Sequence, residues 1–194
     1  NANVPVKNMK EFMAWAQANK GKVNYGSYGQ GSAGHLMSAY LSDTRKLDMT
    51  HVAYKSESPH IQDLAGGVVS WGLGTIAAAQ GVLKDNRVRP IAIYGPKRLA
   101  ELPDVPTMAE VGHPELNLTS WTGLAAPAGT SEAVVQALYK AVRQVATSPA
   151  MVANLKDRGV IVPEEMPPAA FEKMMADRMV KFGAVVKRAG ITAE

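Results

Sequence analysis

The strongest constraint on this chain is the order of its apolar runs between residues 22 and 94. Short strand-like runs alternate there with stretches whose apolar residues recur at helical spacing. Lys22–Tyr25 reads as a short strand, followed by a glycine-rich turn and a helix over about Ala33–Leu41. Met49–Tyr54 reads as a second strand, Pro59–Leu64 as a helix and Ala65-Gly66-Gly67 as its stop. Val68–Leu73 is a third strand, Ile76–Val82 a short helix and Val88–Tyr94 a further buried-looking strand. Strands separated by helix-length crossovers run parallel, and a parallel sheet needs cover on both faces. The expected class is therefore α/β.

The flanks add helices. Val4–Asn19 carries Met9, Phe12, Met13 and Ala16 at helical spacing. Pro96–Pro114 has little periodicity and reads as a connecting segment, followed by an extended run over Leu118–Ala126. A helix starting at Ser131 is expected to bury Val134, Val135, Leu138, Val142 and Val145. Pro149–Arg158 reads as a helix stopped by Gly159. A last helix from Pro168, closed by Gly190, carries Phe171, Met174, Met175, Met179, Phe182, Val185 and Val186 on one face.

Composition narrows the chemistry. With no cysteine among 194 residues, disulfides, thiolate metal sites and cysteine nucleophiles are excluded. His35, His51, His60 and His113 lack metal-ligand spacing, and neither H-E-x-x-H nor G-x-S-x-G occurs, so no metal, cofactor or enzyme activity is expected. The net charge of +4 is mostly scattered; its one local excess, Lys84 to Arg98, brackets a strand-like run and reads as a solvated strand end. No nucleic-acid partner is expected. Residues 1–5 show neither the basic nor the apolar region of a signal peptide.

The most informative segment is Asn24 to Leu36. Gly29-Gln30-Gly31-Ser32-Ala33-Gly34 satisfies the dinucleotide fingerprint G-x-G-x-x-G, and Glu57 falls near the place of a ribose-binding acid. A dinucleotide-binding, Rossmann-like domain of an oxidoreductase is thus the alternative reading. Against it, the polar Tyr25-Gly26-Ser27-Tyr28 separates the strand from the first fingerprint glycine. What the loop does offer is close backbone approach, the hydroxyls of Ser27 and Ser32, and the free N–H groups of the following helix, with Ser32 as its N-cap. That is a cradle for a carboxylate or phosphate, unless the loop is only a turn with a capped helix.

The same segment is similar to the Tyr-Gly-Ser-x-Gly-x-Gly-Ser-x-x-His-Leu signature of the Bug family, receptors of tripartite tricarboxylate transporters. Four further blocks resemble that family in order: Thr50 to Lys55, Asp63 to Val69, Leu102 to Thr107 with Glu110, and Ser120 to Thr130. The resemblance implies a periplasmic-binding-protein type II-like, two-lobed fold. Residues 1–116 would be the second, ligand-binding lobe, and 117–194 a crossover strand bearing Trp121 and the returning half of the first lobe. The Pro-x-x-Pro-Gly-Gly loop of the family's opening segment is not found, so one complete lobe plus the C-terminal half of the other is expected, and exposed apolar faces could drive self-association. The implied function is periplasmic capture of a small carboxylate for a transporter's membrane subunits or for sensing. The implied ligand-binding residues are Ser27, Gln30, Gly31, Ser32, His35, Tyr54, Lys55, Gly74 and Thr75. Ser56 stands where the family usually has glycine. The lack of an acid near Gly74 argues against a cationic amino group on the ligand.

Overall fold

A computed structural model describes residues 1–116, 121–157, 160, 162, 165–188 and 191. The chain divides into two units, Asn1–Ser120 with Ala184–Glu194, and Trp121–Gly183. The first contains a three-stranded sheet: β1 (Asn24–Ser27) lies between β2 (Thr50–Ala53) and β3 (Trp71–Gly72), and both pairings are parallel. Tyr25 is opposite His51 on one side and Trp71 on the other, and Gly26 is opposite Val52 and Gly72.

Helices cover the sheet with two apolar clusters. One gathers Val6, Met9, Phe12, Val23, Leu41 and Leu47, from α1 (Met9–Ala18), α2 (Ala33–Thr44) and neighbouring loops. The other gathers Ile61, Leu64, Ala65, Val69 and Val82, from α3 (Glu57–Gly66), α4 (Ile76–Lys84) and the turn between α3 and β3. The helix expected over Val4–Asn19 starts only at Met9. Asn8 accepts from the Glu11 N–H while Glu11 accepts from the Lys7 N–H, a reciprocal cap that fixes the boundary.

The expected strand Val88–Tyr94 does not form. It makes one bridge, Ile93 to Thr107, because Pro90 has no N–H to give to a ladder. β1 begins two residues later than expected and runs through Gly26 to Ser27. The reason lies above it: His60 of α3 is fully buried, and a Cβ on Gly26 would stand 2.3 Å from its Cδ2. A Cβ on Gly72 would stand 2.4 Å from its Nε2. Two facing glycines therefore let an imidazole lie directly on the backbone.

The second unit holds α5 (Glu132–Ala146), α6 (Pro149–Asp157) and α7 (Pro168–Arg188) up to Gly183. Contrary to expectation, α5 buries none of its residues; Val134, Leu138, Val142 and Val145 are all exposed. Met179 of α7 is 73% exposed, whereas Phe171 meets the Trp121 ring edge-on at 5.0 Å. Trp121 itself lies in no strand. The expected stops at Gly159 and Gly190, and the start of the run at Leu118, lie outside the described residues. No helix among the described residues is long and apolar enough to cross a membrane.

Overpacking a rigid contact typically costs about 1–3 kcal/mol. Gly72→Ala, whose new methyl would also lie 2.8 Å from the Gly26 carbonyl oxygen, is expected to lose at least that much in urea unfolding. Gly81→Ala, with nothing within 4 Å of the added carbon, is expected to hold or gain stability. Equal midpoints for the two variants would contradict the contact.

Candidate functional site

Parallel pairing places the carboxyl ends of β1, β2 and β3 along one edge, and each leads into a helix. β1 continues through the glycine-rich loop to α2, β2 through Tyr54-Lys55-Ser56 to α3, and β3 through Leu73-Gly74-Thr75 to α4. Three helix N-termini, with their partial positive charge, thus gather where open α/β sheets bind ligands. Of the nine sequence-expected residues, Ser27 ends β1, His35 lies in the first turn of α2, and the other seven belong to these three connections. The loops are neighbours: a Cβ on Gly29 would lie 3.8 Å from the Tyr54 carbonyl oxygen.

The side chains divide by exposure. Gln30, Gly31, Lys55, Gly74 and Thr75 face solvent, and Ser32 is half-buried. Ser27 is fully buried; its hydroxyl accepts from the Gly29 N–H at 3.3 Å and lies 2.7 Å from His51 Nε2. His35 is buried, accepts the Gly31 N–H at Nδ1 over 3.1 Å, and stacks on His51 at 3.7 Å between ring centroids. The Tyr54 hydroxyl donates to Asp63 at 2.8 Å. Ser27, His35 and Tyr54 therefore position the edge from beneath.

Ser32 is the expected N-cap, accepting from the His35 N–H. Much of the loop's amide capacity is engaged within the chain. The Gly29, Gly31 and Gly34 N–H groups go to Ser27, His35 and the Tyr28 hydroxyl, and the Ser32 N–H goes to the Gly29 carbonyl. The start of α3 differs: Ser56 is its N-cap residue yet makes no side-chain capping bond. Pro59 in its first turn has no N–H, so the donors left at this helix start are the backbone N–H groups of Glu57 and Ser58, with Lys55 just before the cap residue.

Glu57 corrects the sequence reading. Its carboxylate accepts from the Thr75 N–H and, at 3.0 Å, from the Thr75 hydroxyl, which itself accepts from the Ala78 N–H. An acid does stand beside Gly74: a Cβ there would lie 3.5 Å from Glu57 Oε1. Sequence spacing pointed to Glu57 only as a ribose-binding acid and gave no sign of this contact. His51 and His60 were missed as well, since neither spacing nor a motif marks a packed histidine. The fingerprint glycines serve other ends; a Cβ on Gly34 would meet the Tyr28 ring at 3.0 Å, so this glycine makes room for the loop's own tyrosine. No group of three or more histidine or acidic residues among those described could hold a metal ion.

Burial sets the protonation states. It depresses His35, and it lowers His51 to about 4, with the neighbouring His35 and His60 adding to the effect. Burial also raises the Tyr28 phenol; the hydrogen bond from Gly34 opposes this and the Glu57 charge reinforces it. The edge presents mainly neutral donors, one lysine and one engaged carboxylate.

Residues 1–191 match the family model described as tripartite tricarboxylate transporter family receptor. A UPF0065 protein of Cupriavidus necator is 33% identical over 190 residues, 98% of this chain and 57% of that protein. Among solved structures, a Rhodopseudomonas palustris protein with adipate superposes with a TM-score of 0.82 at 28% identity, over 98% of this chain and 63% of that one. MatC from the same organism, with bound malate, superposes with a TM-score of 0.83 at 28% identity, over 95% and 64%. The chain therefore spans less than two thirds of the length of these proteins, and its mixed α/β fold is theirs.

The buried histidines predict acid sensitivity. The folded pKa of His51, about 4, lies below the 6.5 of an unperturbed imidazole. Unfolded chains thus take up a proton that the folded protein refuses. This contribution to stability is present above pH 6.5 and is lost as pH falls through about 4. Urea midpoints followed by far-ultraviolet circular dichroism should fall across that window, and the fall should be shallower in His51→Gln, which cannot charge.

Proposed function

Because the chain belongs to the tripartite tricarboxylate transporter receptor family, we propose that it is a periplasmic solute-binding receptor that captures a small carboxylate. Residues 1–116 would form the ligand-binding lobe, and residues 117–194 the crossover and returning half of the other. The captured solute would pass to membrane subunits of a tripartite transporter or serve as a signal. No catalytic step is assigned to the chain.

One observation carries the reading: three helices start at the same sheet edge, and the N-terminus of α3 has no side-chain cap. An anion there would meet backbone N–H groups, the Lys55 ammonium and the loop around Gln30 and Gly31. An exposed helix end contributes about 0.3–1 kcal/mol toward an anion, rising to about 2 when partly buried. Each charge-assisted hydrogen bond adds about 1.5–3 kcal/mol once water is excluded. Three or four such contacts, less the cost of lost freedom, give about micromolar affinity. The solved relatives with adipate and malate support the same ligand class.

Calorimetry against a panel of small mono- and dicarboxylates tests the proposal. At least one should bind the wild-type chain, and none doing so would sink it. Gly31 sits at φ +69 with open space around an added Cβ, so Gly31→Val acts through backbone strain rather than a clash. The loop must then refold locally, and affinity should drop roughly tenfold or more, consistent with a strain of about 1–3 kcal/mol. Ser32→Ala should lower stability by about 1 kcal/mol through the lost cap. Unchanged affinity in Gly31→Val would place the ligand elsewhere.

We also propose that the exposed Val134, Leu138, Val142 and Val145 stripe of α5 mediates self-association. Sedimentation velocity should show mass rising with concentration, and Leu138→Glu should abolish the rise.

A further inference from the structure

The turn over Gly29–Ser32 closes on itself through the Ser32 N–H and the Gly29 carbonyl. Gly29 and Gly31 both sit at positive φ, so glycine hinges flank the solvent-facing Gln30. The far end of the turn is tied down by His35, 4% exposed, whose Nδ1 accepts the Gly31 N–H over 3.1 Å. An imidazole nitrogen that accepts is unprotonated, so this contact fixes the ring as the tautomer with its proton on Nε2. The His51 ring stacks on it at 3.7 Å and 10°. His51 is joined to the loop in another way. The Ser27 hydroxyl has one proton and lies 3.0 Å from the Gly29 carbonyl; with the proton given there, His51 Nε2 is the donor over 2.7 Å to Ser27 Oγ. A further proton on His51 Nδ1 leaves that bond standing. A proton on His35 Nδ1 takes the lone pair that the Gly31 N–H needs.

We propose that His35 is a proton-sensitive latch on the glycine loop: its neutral ring holds the Gly31 N–H inward, and a proton on Nδ1 releases it. A charged His35 sets N–H against N–H at that position, so the contact is lost and the turn swings on its glycines. β1 stays paired, because the Ser27 carbonyl takes the Tyr54 N–H and does not depend on the ring. Tyr25 of β1 lies 6.4 Å from His35 and 5.1 Å from His51 between ring centroids. Burial raises its phenol to about 12, so it stays uncharged. His60 of α3 acts on His51, and the acids Glu57 and Asp63 act on His60. Burial lowers His35, so the latch is closed at neutral pH and opens as pH falls below the 6.5 of an unperturbed imidazole. His51 is held down to about 4 by burial, with His35 and His60 adding to it, which leaves the first proton to His35. Opening gives the edge an outward N–H and a positive charge beneath it in one step. The latch belongs to the loop itself and does not depend on the carboxylate reading.

The test uses the 194-residue chain without ligand. Nitrogen-15 NMR follows the His35 ring and the Gly31 amide from about pH 7.5 to about pH 4. The ring should show the Nε2–H tautomer at neutral pH and titrate with a midpoint below 6.5. Protection of the Gly31 amide, corrected for intrinsic exchange, should fall with that same midpoint, by about tenfold one unit below it. The Phe12 amide in α1 and the Thr50 amide paired to Val23, both hydrogen-bonded at 2.9 Å, should keep their protection. His35→Asn places an amide oxygen as many bonds from the backbone as Nδ1 and takes up no proton, so Gly31 protection should no longer change with pH. His35→Leu has no acceptor and should leave Gly31 unprotected at every pH. His51→Gln removes the opposing ring and should raise the His35 midpoint. A Gly31 amide that ignores the His35 titration, or that still opens in His35→Asn with the wild-type midpoint, would overturn the latch. Loss of protection at Gly31, Phe12 and Thr50 together would overturn it as well, since that is unfolding of the whole unit rather than release of the loop.

Discussion

Close approach at β1 governs the geometry of the first unit. Gly26 and Gly72 lie opposite each other in adjacent parallel strands, and the His60 ring occupies the space two Cβ atoms would otherwise take. Neither ring nitrogen finds a hydrogen-bond partner among the described residues. A buried polar group left in that state costs about 1–3 kcal/mol, so contact with the backbone on either side has to offset a real penalty. This is a positional device, since α3 can sit only where the ring fits. Ser56 and Glu57, one turn earlier, are thereby held at the carboxyl edge of the sheet.

From that placement the character of the edge follows. Most glycine-loop amides satisfy one another, the buried serine or a histidine, which makes the loop rigid but leaves few donors facing outward. The histidine pair beneath stays neutral because burial disfavours charge on both rings, and at His51 the neighbouring His35 and His60 add to the effect. Charge is left to two side chains on either side of Ser56, Lys55 in the connection before α3 and Glu57, the first residue of α3, reaching Thr75 at the start of α4. An edge built this way is polarised along its length rather than uniformly attractive to anions.

The class of fold was legible because parallel crossovers impose a rhythm on hydrophobicity that survives short strands. The resemblance in five ordered blocks, beginning with the Tyr25 to Leu36 loop, was equally legible and pointed to the family that the whole-chain match shows. Val88–Tyr94 misled because its apolar residues satisfy a strand pattern while Pro90 denies it a ladder, a tertiary outcome that local pattern underweights. The α5 stripe misled differently, since periodicity says which face is apolar but not whether anything covers it. At the site, the connections and the Ser32 cap were readable from turn chemistry. The engagement of the amides and the reach of Glu57 to Thr75 were not, because both depend on distances between segments far apart in sequence.

Trp71 packs against Phe12 at 5.1 Å and Tyr25 at 5.6 Å between ring centroids, and Tyr25 in turn stacks on His51, the partner of Ser27 at the base of the glycine loop. Its indole N–H has no hydrogen-bond partner among the described residues. A half-buried indole packed on other rings emits further toward the blue than Trp121, which is nearly half exposed and closer to a hydrated ring. The molecule thus carries its own optical gauges: of its three tryptophans, Trp15 and Trp71 lie in the first unit, Trp71 coupled by ring contacts to the base of the loop, and Trp121 lies in the second unit in different surroundings. Motion of the loop becomes visible as a spectral change without any label being attached.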